Sequence, residues 1–516
     1  MMNKRLLPVL ALLCCFVFTV CVFAVIGRHF TDADMASEFV YADLLNREGS
    51  LHTQNWTYSS ELRVVAPTPV YRFMLSVFPD WHTARTASNS LLLFLVLLCF
   101  LYMVFPLRLT AHGLLSACIF SLPIAHVYAY FVTYGGHYCA HLCIIYLLMG
   151  MLLRAEQKEG RTRRFALCLL LSLWGGLGGL RVAMMFAAPA ALALLWECIS
   201  QLRGKYLRSA FSHLPKGQLF CLAAILAGST VGLFLNMRLL SALFDFDSHA
   251  ATPVVIPSAE EFFSHFWDFF AFFGLRESSQ MLSVRGLASL TAVGLGLFSV
   301  YAVACQIRRG DAIPASDRLF VRFAASALFL GFLVNLLSQN FGAQYYVVGL
   351  IAAVVSADSY IVCTQGRPKA LLAIASLLFA GCFVFETAVF IRQEMPHTPT
   401  NEERAAAWLL ENGYKKGYAT FWHGAPIAEA SDGQIEIWVL EEPVFSDAWR
   451  QLSLNDILQE KRHFSEDPEG PVFVCLFDDE NKNPPSWADR PHRVVRADWG
   501  CIYVYESAAE LKAAAN

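Results

Sequence analysis

Residues 4–38 read KRLLPVLALLCCFVFTVCVFAVIGRHFTDADMASE, and the fold turns on this stretch. Two basic residues precede an apolar run, Leu6 to Ile26, long enough to cross a hydrocarbon core of ~30 Å. A cleaved leader would begin in the same way. The run is long for a leader, however, and Val25-Ile26-Gly27-Arg28 lacks a small-x-small cleavage site. An uncleaved first spanning helix is expected, with Asp32, Asp34 and Glu38 just beyond it.

The rest of the chain repeats the apolar theme. Of its 516 residues 56% are hydrophobic and 16% charged, against about 25% charged in a soluble domain, and the mean hydropathy is +0.46. Further apolar runs fall near 89–107, 112–132, 138–153, 165–180, 182–200, 219–241, 286–306, 321–338, 345–363 and 370–391. Together they predict an all-α polytopic membrane domain of about eleven transmembrane helices over 1–391. A net charge of -3 offers no basic surface for nucleic acid. The 15 cysteines lie mostly within apolar runs and form no CxxC pair, so neither a disulfide framework nor a redox site is expected.

Short-loop charge sets the orientation. Lys4, Arg5, Arg108, Arg154, Lys158, Arg161, Arg203, Lys205, Arg308, Arg309, Arg367 and Lys369 fall on one side, while the turns near Tyr134–His137 and Gln339–Gln344 carry no Lys or Arg. The N-terminus is then cytoplasmic, and three larger regions face outward in a multi-pass protein of the cell membrane: 28–88, 242–285 and the tail 392–516. The tail has soluble composition and reads as a small extracytoplasmic α/β domain. Helices are expected near Glu402–Glu411 and Ala448–Gln459, with strands at Tyr418–Phe421, Ile435–Leu440, Val472–Leu476, Val494–Arg496 and Cys501–Tyr505. Strand, turn and strand account for the stretch from Tyr418 to Trp438.

Between Asp34 and Glu48 the apolar residues Met35, Phe39, Ala42 and Leu45 recur at helical spacing, and Gly49 makes a natural C-cap. This pattern predicts an amphipathic helix along the membrane surface. Asp34 and Glu38, four apart, share one face of it, and Asp32 precedes its first turn. Two readings stand side by side. The acids cap a helix N-terminus, with Thr31 and Asp34 as a capping box. Alternatively, one carboxylate deprotonates an acceptor hydroxyl while the others position it, or Asp32 and Asp34 hold a divalent cation such as Mg2+ or Mn2+.

One span, an Asp-x-Asp with a downstream Glu, many further spans and an outer C-terminal domain: this layout resembles the glycosyltransferase C superfamily of polyprenyl-phosphate-sugar-dependent membrane enzymes. The segment from Asp32 to Trp56 is similar to the first outer loop of that family, and the likeness covers roughly residues 1–200 by motif and the remainder by architecture. The resemblance implies Asp32 as catalytic base with Asp34 and Glu38 as partners, although Ala33 stands where many relatives have a second acid. It implies a polyprenyl-phosphate-linked sugar donor, an inverting transfer, and a hydroxyl acceptor on a cell-envelope glycan, lipid or protein.

Other positions carry weaker signals. Arg181, in Gly178-Gly179-Leu180-Arg181-Val182, is a cation between apolar segments, which either binds a lipid-linked phosphate or snorkels to the interface. His137, in the Tyr134-Gly135-Gly136-His137-Tyr138 turn, either contacts substrate or belongs to an aromatic belt, and Tyr345 has the same two readings. Trp56, Glu61 and Arg63 line an acceptor groove or simply pack the loop. Two rival functions remain open: a flippase for a lipid-linked intermediate, which would more usually place its ionisable residues within spans, and a non-catalytic scaffold on the same fold.

Overall fold

The computed structural model describes residues 6–59, 62, 64–107, 110–123, 125–202, 214–244, 246, 258–275, 282–337, 346–363, 374, 399–441, 452–478, 480, 487 and 491–515. The first span is helix α1 (Leu6–Ile26), apolar on every side. Helix α2 (Ala33–Glu48) begins at Asp32, whose extended backbone and side chain cap it, and ends at Gly49, whose φ is +65°. Helices α3 (Thr68–Val77) and α4 (Trp81–Val104) follow. The span expected at 89–107 begins earlier, because polar His82, Thr83 and Arg85 are helical although hydropathy passes over them.

The run expected as one helix at 112–132 is broken. Helix α5 (Thr110–Ser121) stops before Pro123, and α6 (His126–Tyr128) continues through a wide π turn, Ala129–Thr133. Proline lacks the N–H that would carry the ladder through. Next come α7 (Cys139–Leu153), α8 (Arg161–Leu177), α9 (Ala188–Leu202) behind a π turn Ala183–Ala187, α10 (Lys216–Leu235) and α11 (Ser241–Phe244). Helices α12 (Ala259–Ala271), α13 (Val284–Arg309), α14 (Ala315–Leu337) and α15 (Val347–Cys363) complete the bundle described. The eleventh expected span, 370–391, lies outside the described residues apart from residue 374.

Among the described residues, five helices are long and apolar enough to cross a membrane, and two shorter apolar ones accompany them. Close packing between α8 and α10 depends on Gly228 and Gly232, four apart. A Cβ on Gly232 would stand 2.2 Å from the Leu173 carbonyl, the small-residue approach that membrane helices use in place of a hydrophobic driving force. One buried carboxylate of the bundle is paired: Glu197 on α9 accepts from Arg318 Nη2 at 2.7 Å and from Arg322 on α14.

The C-terminal region is built as expected in its strands. Helix α16 (Asn401–Glu411) starts at a Thr400–Glu403 capping box. Then come β1 (Lys416–Thr420), α17 (Phe421–Ala430), β2 (Glu436–Leu440), β3 (Val472–Phe477), β4 (Arg493–Ala497), β5 (Gly500–Tyr505) and α18 (Ala508–Ala515). Sheet order is β2-β1-β3-β5-β4, with β1 parallel to both neighbours and β5 antiparallel to both of its own. Two expectations fail here. Tyr418 to Trp438 is strand–helix–strand, because parallel strands need a crossover that a turn cannot supply. The helix expected at Ala448–Gln459 is absent from the described residues 452–459, which run as bends and an isolated bridge.

Helix α2 is also not a surface helix. Phe39 and Ala42 enter the bundle core with Tyr71, Trp81 and Ala84, while Ala33, Tyr41, Leu44 and Leu45 enter a second core with Ala405, Leu409, Ile427 and Ile437. The stripe Met35, Phe39, Ala42 and Leu45 is therefore divided between cores, with Leu45 covered by the C-terminal region and Phe39 and Ala42 by the bundle. Backbone pairing extends the grip, since the Thr57 N–H donates to the Gln459 carbonyl at 2.9 Å and the Leu458 N–H to the Thr57 carbonyl at 2.8 Å.

Candidate active site

Helix α2 needs acceptors for its first N–H groups, and Asp32 supplies one, with Oδ1 accepting the Met35 N–H at 2.9 Å. The capping residue is therefore Asp32 itself, in place of the expected Thr31–Asp34 box. Its second oxygen, Oδ2, accepts the hydroxyl of Tyr130, which the π turn after α6 brings across. Both oxygens are thus oriented while the carboxylate stays half-exposed.

One turn on, Glu38 is 4% exposed and its Oε1 lies 3.3 Å from His137 Nδ1. His137 Nε2 is buried without a hydrogen-bond partner among the described residues. The Tyr130 and His137 rings are 5.7 Å apart, and the charges of Asp32, Asp34 and Glu38 all bear on the Tyr130 hydroxyl. Asp34 is half-buried in the first turn of α2, where its carbonyl accepts the Ser37 hydroxyl. The turn carrying His137 requires glycine at 135, where a Cβ would meet the Tyr130 carbonyl at 1.7 Å. Tyr71 fixes this turn by donating to the Gly135 carbonyl at 3.1 Å.

Arg181 stands on the same side. Its guanidinium is 5.4 Å from the centroid of Tyr138, the residue after His137, and both Arg181 and Glu38 act electrostatically on His141. The fold thus gathers Asp32, Asp34, Glu38, His137 and Arg181 from three distant parts of the chain. It does not gather Trp56, which is 2% exposed, packs 5.3 Å from Tyr41 and bridges Glu460 in the second core. Glu61, Arg63 and Tyr345 lie outside the described residues. For the divalent cation considered at Asp32 and Asp34, the described residues contain no group of three or more His, Cys, Asp or Glu side chains disposed around one point.

Several neighbours carried no usable signal in the sequence. Tyr130 is 98 residues from Asp32, and an aromatic near the end of a span looks like a belt residue. Arg85, fully buried, donates through Nε and Nη2 to both oxygens of Glu429, each at 2.5 Å, and through Nη2 to the Met35 carbonyl at 2.9 Å. Beside it, a polar cavity of about 150 Å³ is lined by Arg28, Thr31, Asp80, Glu402, Glu429 and Asp432, among others. Burial pushes the carboxyl of Asp80 up, but hydrogen bonds from Thr83 and the charges of Arg28 and His82 bring it below the usual range. Burial likewise raises Glu402, and the hydrogen bond with His423 at 2.9 Å leads the effects that outweigh it.

Chemically, the cluster offers an oriented carboxylate with two hydrogen-bond donors, an acid–imidazole pair and a cation, all at one end of the bundle. No family model matches the chain, and no curated protein matches it in sequence. Its fold does match solved structures, among them ArnT from Cupriavidus metallidurans bound to undecaprenyl phosphate. That match covers 98% of each chain with a TM-score of 0.51 and 12% identity. A likeness at that identity speaks for the fold alone: the chain has an ArnT-like fold, with several helices long and apolar enough to cross a membrane.

Proposed function

We propose that the chain is a membrane glycosyltransferase that moves a sugar from a polyprenyl-phosphate donor to a hydroxyl acceptor at the outer face of the cell membrane. The observation that carries this reading is the pair of hydrogen bonds aiming the Asp32 carboxylate, from Met35 N–H and Tyr130 O–H, with Arg181 at the same end of the bundle. Asp32 takes the proton of the acceptor hydroxyl as its oxygen attacks the anomeric carbon. The bond from that carbon to the phosphate oxygen breaks, the configuration inverts, and the lipid phosphate leaves with the electron pair. Arg181 stabilises that charge. Asp34 and Glu38 shape the acceptor side, Glu38 by orienting His137.

The ArnT likeness supports this reading through the fold, and the lipid bound to that protein suggests undecaprenyl phosphate as the carrier. The C-terminal region, 392–516, is then an extracytoplasmic domain covering the acid-bearing helix. The decisive experiment incubates membranes carrying the chain with a panel of undecaprenyl-phosphate hexoses and pentoses labelled in the sugar. The wild type should move label out of the lipid fraction with one donor, and Asp32→Asn should not. Retention of label with every donor would remove the reading.

A further inference from the structure

The Arg85–Glu429 pair is buried at the junction of three elements, with Arg85 on α4, Glu429 on α17 and its third partner, the Met35 carbonyl, on α2. Its guanidinium also lies 4.0 Å from the centroid of Phe39, again on α2. Met35 is the residue whose N–H holds Asp32 Oδ1. One residue of α2 therefore hydrogen-bonds Asp32 through its N–H and Arg85 through its carbonyl. The same edge of the C-terminal region also fixes the start of α4, where Asp432 Oδ1 accepts the Trp81 N–H at 2.8 Å.

Stability is a poor reason for such a pair. Burying two charges costs about as much as their attraction returns, and apolar residues of the same volume usually do as well or better. What a bidentate arginine clamp supplies is direction. Here that direction is applied one helical turn from the candidate base. We propose that Glu429 is a positioning residue for Asp32, acting through the Arg85 guanidinium and residue Met35. The C-terminal region thereby completes the site as well as covering it. Without the carboxylate, Arg85 is free to leave the Met35 carbonyl, and the first turn of α2 loses the anchor that keeps Asp32 toward Tyr130.

This rests on the glycosyltransferase reading, so the test has one arm that needs no activity. Glu429→Gln, Glu429→Asp and the double variant Arg85→Met/Glu429→Met are purified in nanodiscs beside the wild type and Asp32→Asn. Hydrogen exchange is followed over residues 33–40, with 139–153 as the internal control. Exchange in 33–40 should rise about tenfold or more in Glu429→Gln and the double variant, return toward wild type in Glu429→Asp, and stay unchanged in the control. With the labelled donor that the wild type turns over, kcat should fall by ~10²-fold in Glu429→Gln and the double variant while KM stays within about twofold, and Glu429→Asp should recover most of the rate. Equal exchange in folded Glu429→Gln, or a wild-type kcat in the folded double variant, overturns the proposal. A wild type that turns over no labelled donor would instead sink the glycosyltransferase reading, leaving the exchange arm to decide the anchoring of α2 by itself, and full activity of Asp32→Asn would leave Asp32 a helix cap.

Discussion

Arg47 on α2 donates to Glu460 across 413 residues of chain, with Nη2 2.6 Å from Oε1. Glu460 also takes the Nε of Arg462 at 2.6 Å, so one carboxylate holds two guanidiniums where the first loop meets the C-terminal region. Burial pushes Glu460 up, but the hydrogen bonds and charges of Arg462 and Arg47 outweigh it and hold the group below the ordinary glutamate value.

That depression makes docking of the C-terminal region pH-dependent. A carboxyl depressed in the folded state stabilises it above the unfolded value, about 4.3, and the gain is lost as pH falls through the folded value. Glu460→Gln should lower stability by about 1–2 kcal/mol at pH 7, less than a fully buried pair because Arg47 is half-exposed and screened. Melts of wild type and variant should converge below about pH 4. A difference that persists undiminished into acid would mean that Glu460 acts by packing.

Helix packing gives a prediction independent of function. Gly232→Ala places a methyl group 2.2 Å from the Leu173 carbonyl, and a backbone atom cannot swing aside. The variant should lose about 1–3 kcal/mol, read as a lower melting temperature in detergent. Gly294→Ala, with nothing within 4 Å of its added Cβ, serves as the control and should melt like wild type.

Orientation is tested by labelling. A membrane-impermeant maleimide added from outside should reach cysteines at the exposed positions Leu51 and Gln434 and miss one at Lys158. Ser431, although adjacent to an exposed turn, is 1% exposed and would not report. Labelling of Lys158→Cys from outside would turn the acidic loop toward the cytoplasm and remove any role for an outward-facing site.

Arg181 separates phosphate binding from snorkelling. Its contact with the Tyr138 ring holds it near the site, so Arg181→Ala should cut donor turnover by ~10²–10³-fold with little effect on folding. Arg181→Lys should recover only part, because an ammonium lacks the planar fork. Wild-type turnover in the alanine variant would leave interface anchoring as its role.

How much of this was legible in the sequence depends on the range of the signal. The strands of the tail, the cap at Gly49 and the positions of most apolar helices rest on local patterns, and they stand within a few residues of where periodicity put them. The starts of α4 and α14 escaped because Arg85 and Arg318 are paired across the fold, and hydropathy scores each charge as though it were alone. The double burial of α2 escaped for a related reason. Tyr41 and Leu44 look like tolerable surface residues until a sheet more than 350 residues later covers them. Within the candidate site, the clustering of Asp32, Asp34 and Glu38 at the start of α2 was visible through spacing. Tyr130, Arg85 and Glu429 were not, because only the fold brings them near.

The sharpest prediction sets the two roles of Asp32 against each other. Its Oδ1 caps α2 and its Oδ2 meets Tyr130. Asparagine caps nearly as well as aspartate, so Asp32→Asn should keep the helix start, the melting temperature and membrane insertion. The amide cannot accept the acceptor's proton, so transfer should fall by about 10²–10⁴-fold, the usual worth of a general base. Asp32→Ala removes the cap as well and should add a loss of ~1 kcal/mol in stability. Tyr130→Phe removes one orienting bond and leaves the carboxylate, so it should slow transfer much less than Asp32→Asn while leaving the cap intact. If Asp34 shares a divalent cation with Asp32, chelator will stop transfer; if it only orients, transfer will continue in chelator and Asp34→Asn will cost less than Asp32→Asn. A folded Asp32→Asn protein that turns over donor at the wild-type rate would reduce this residue to a helix cap.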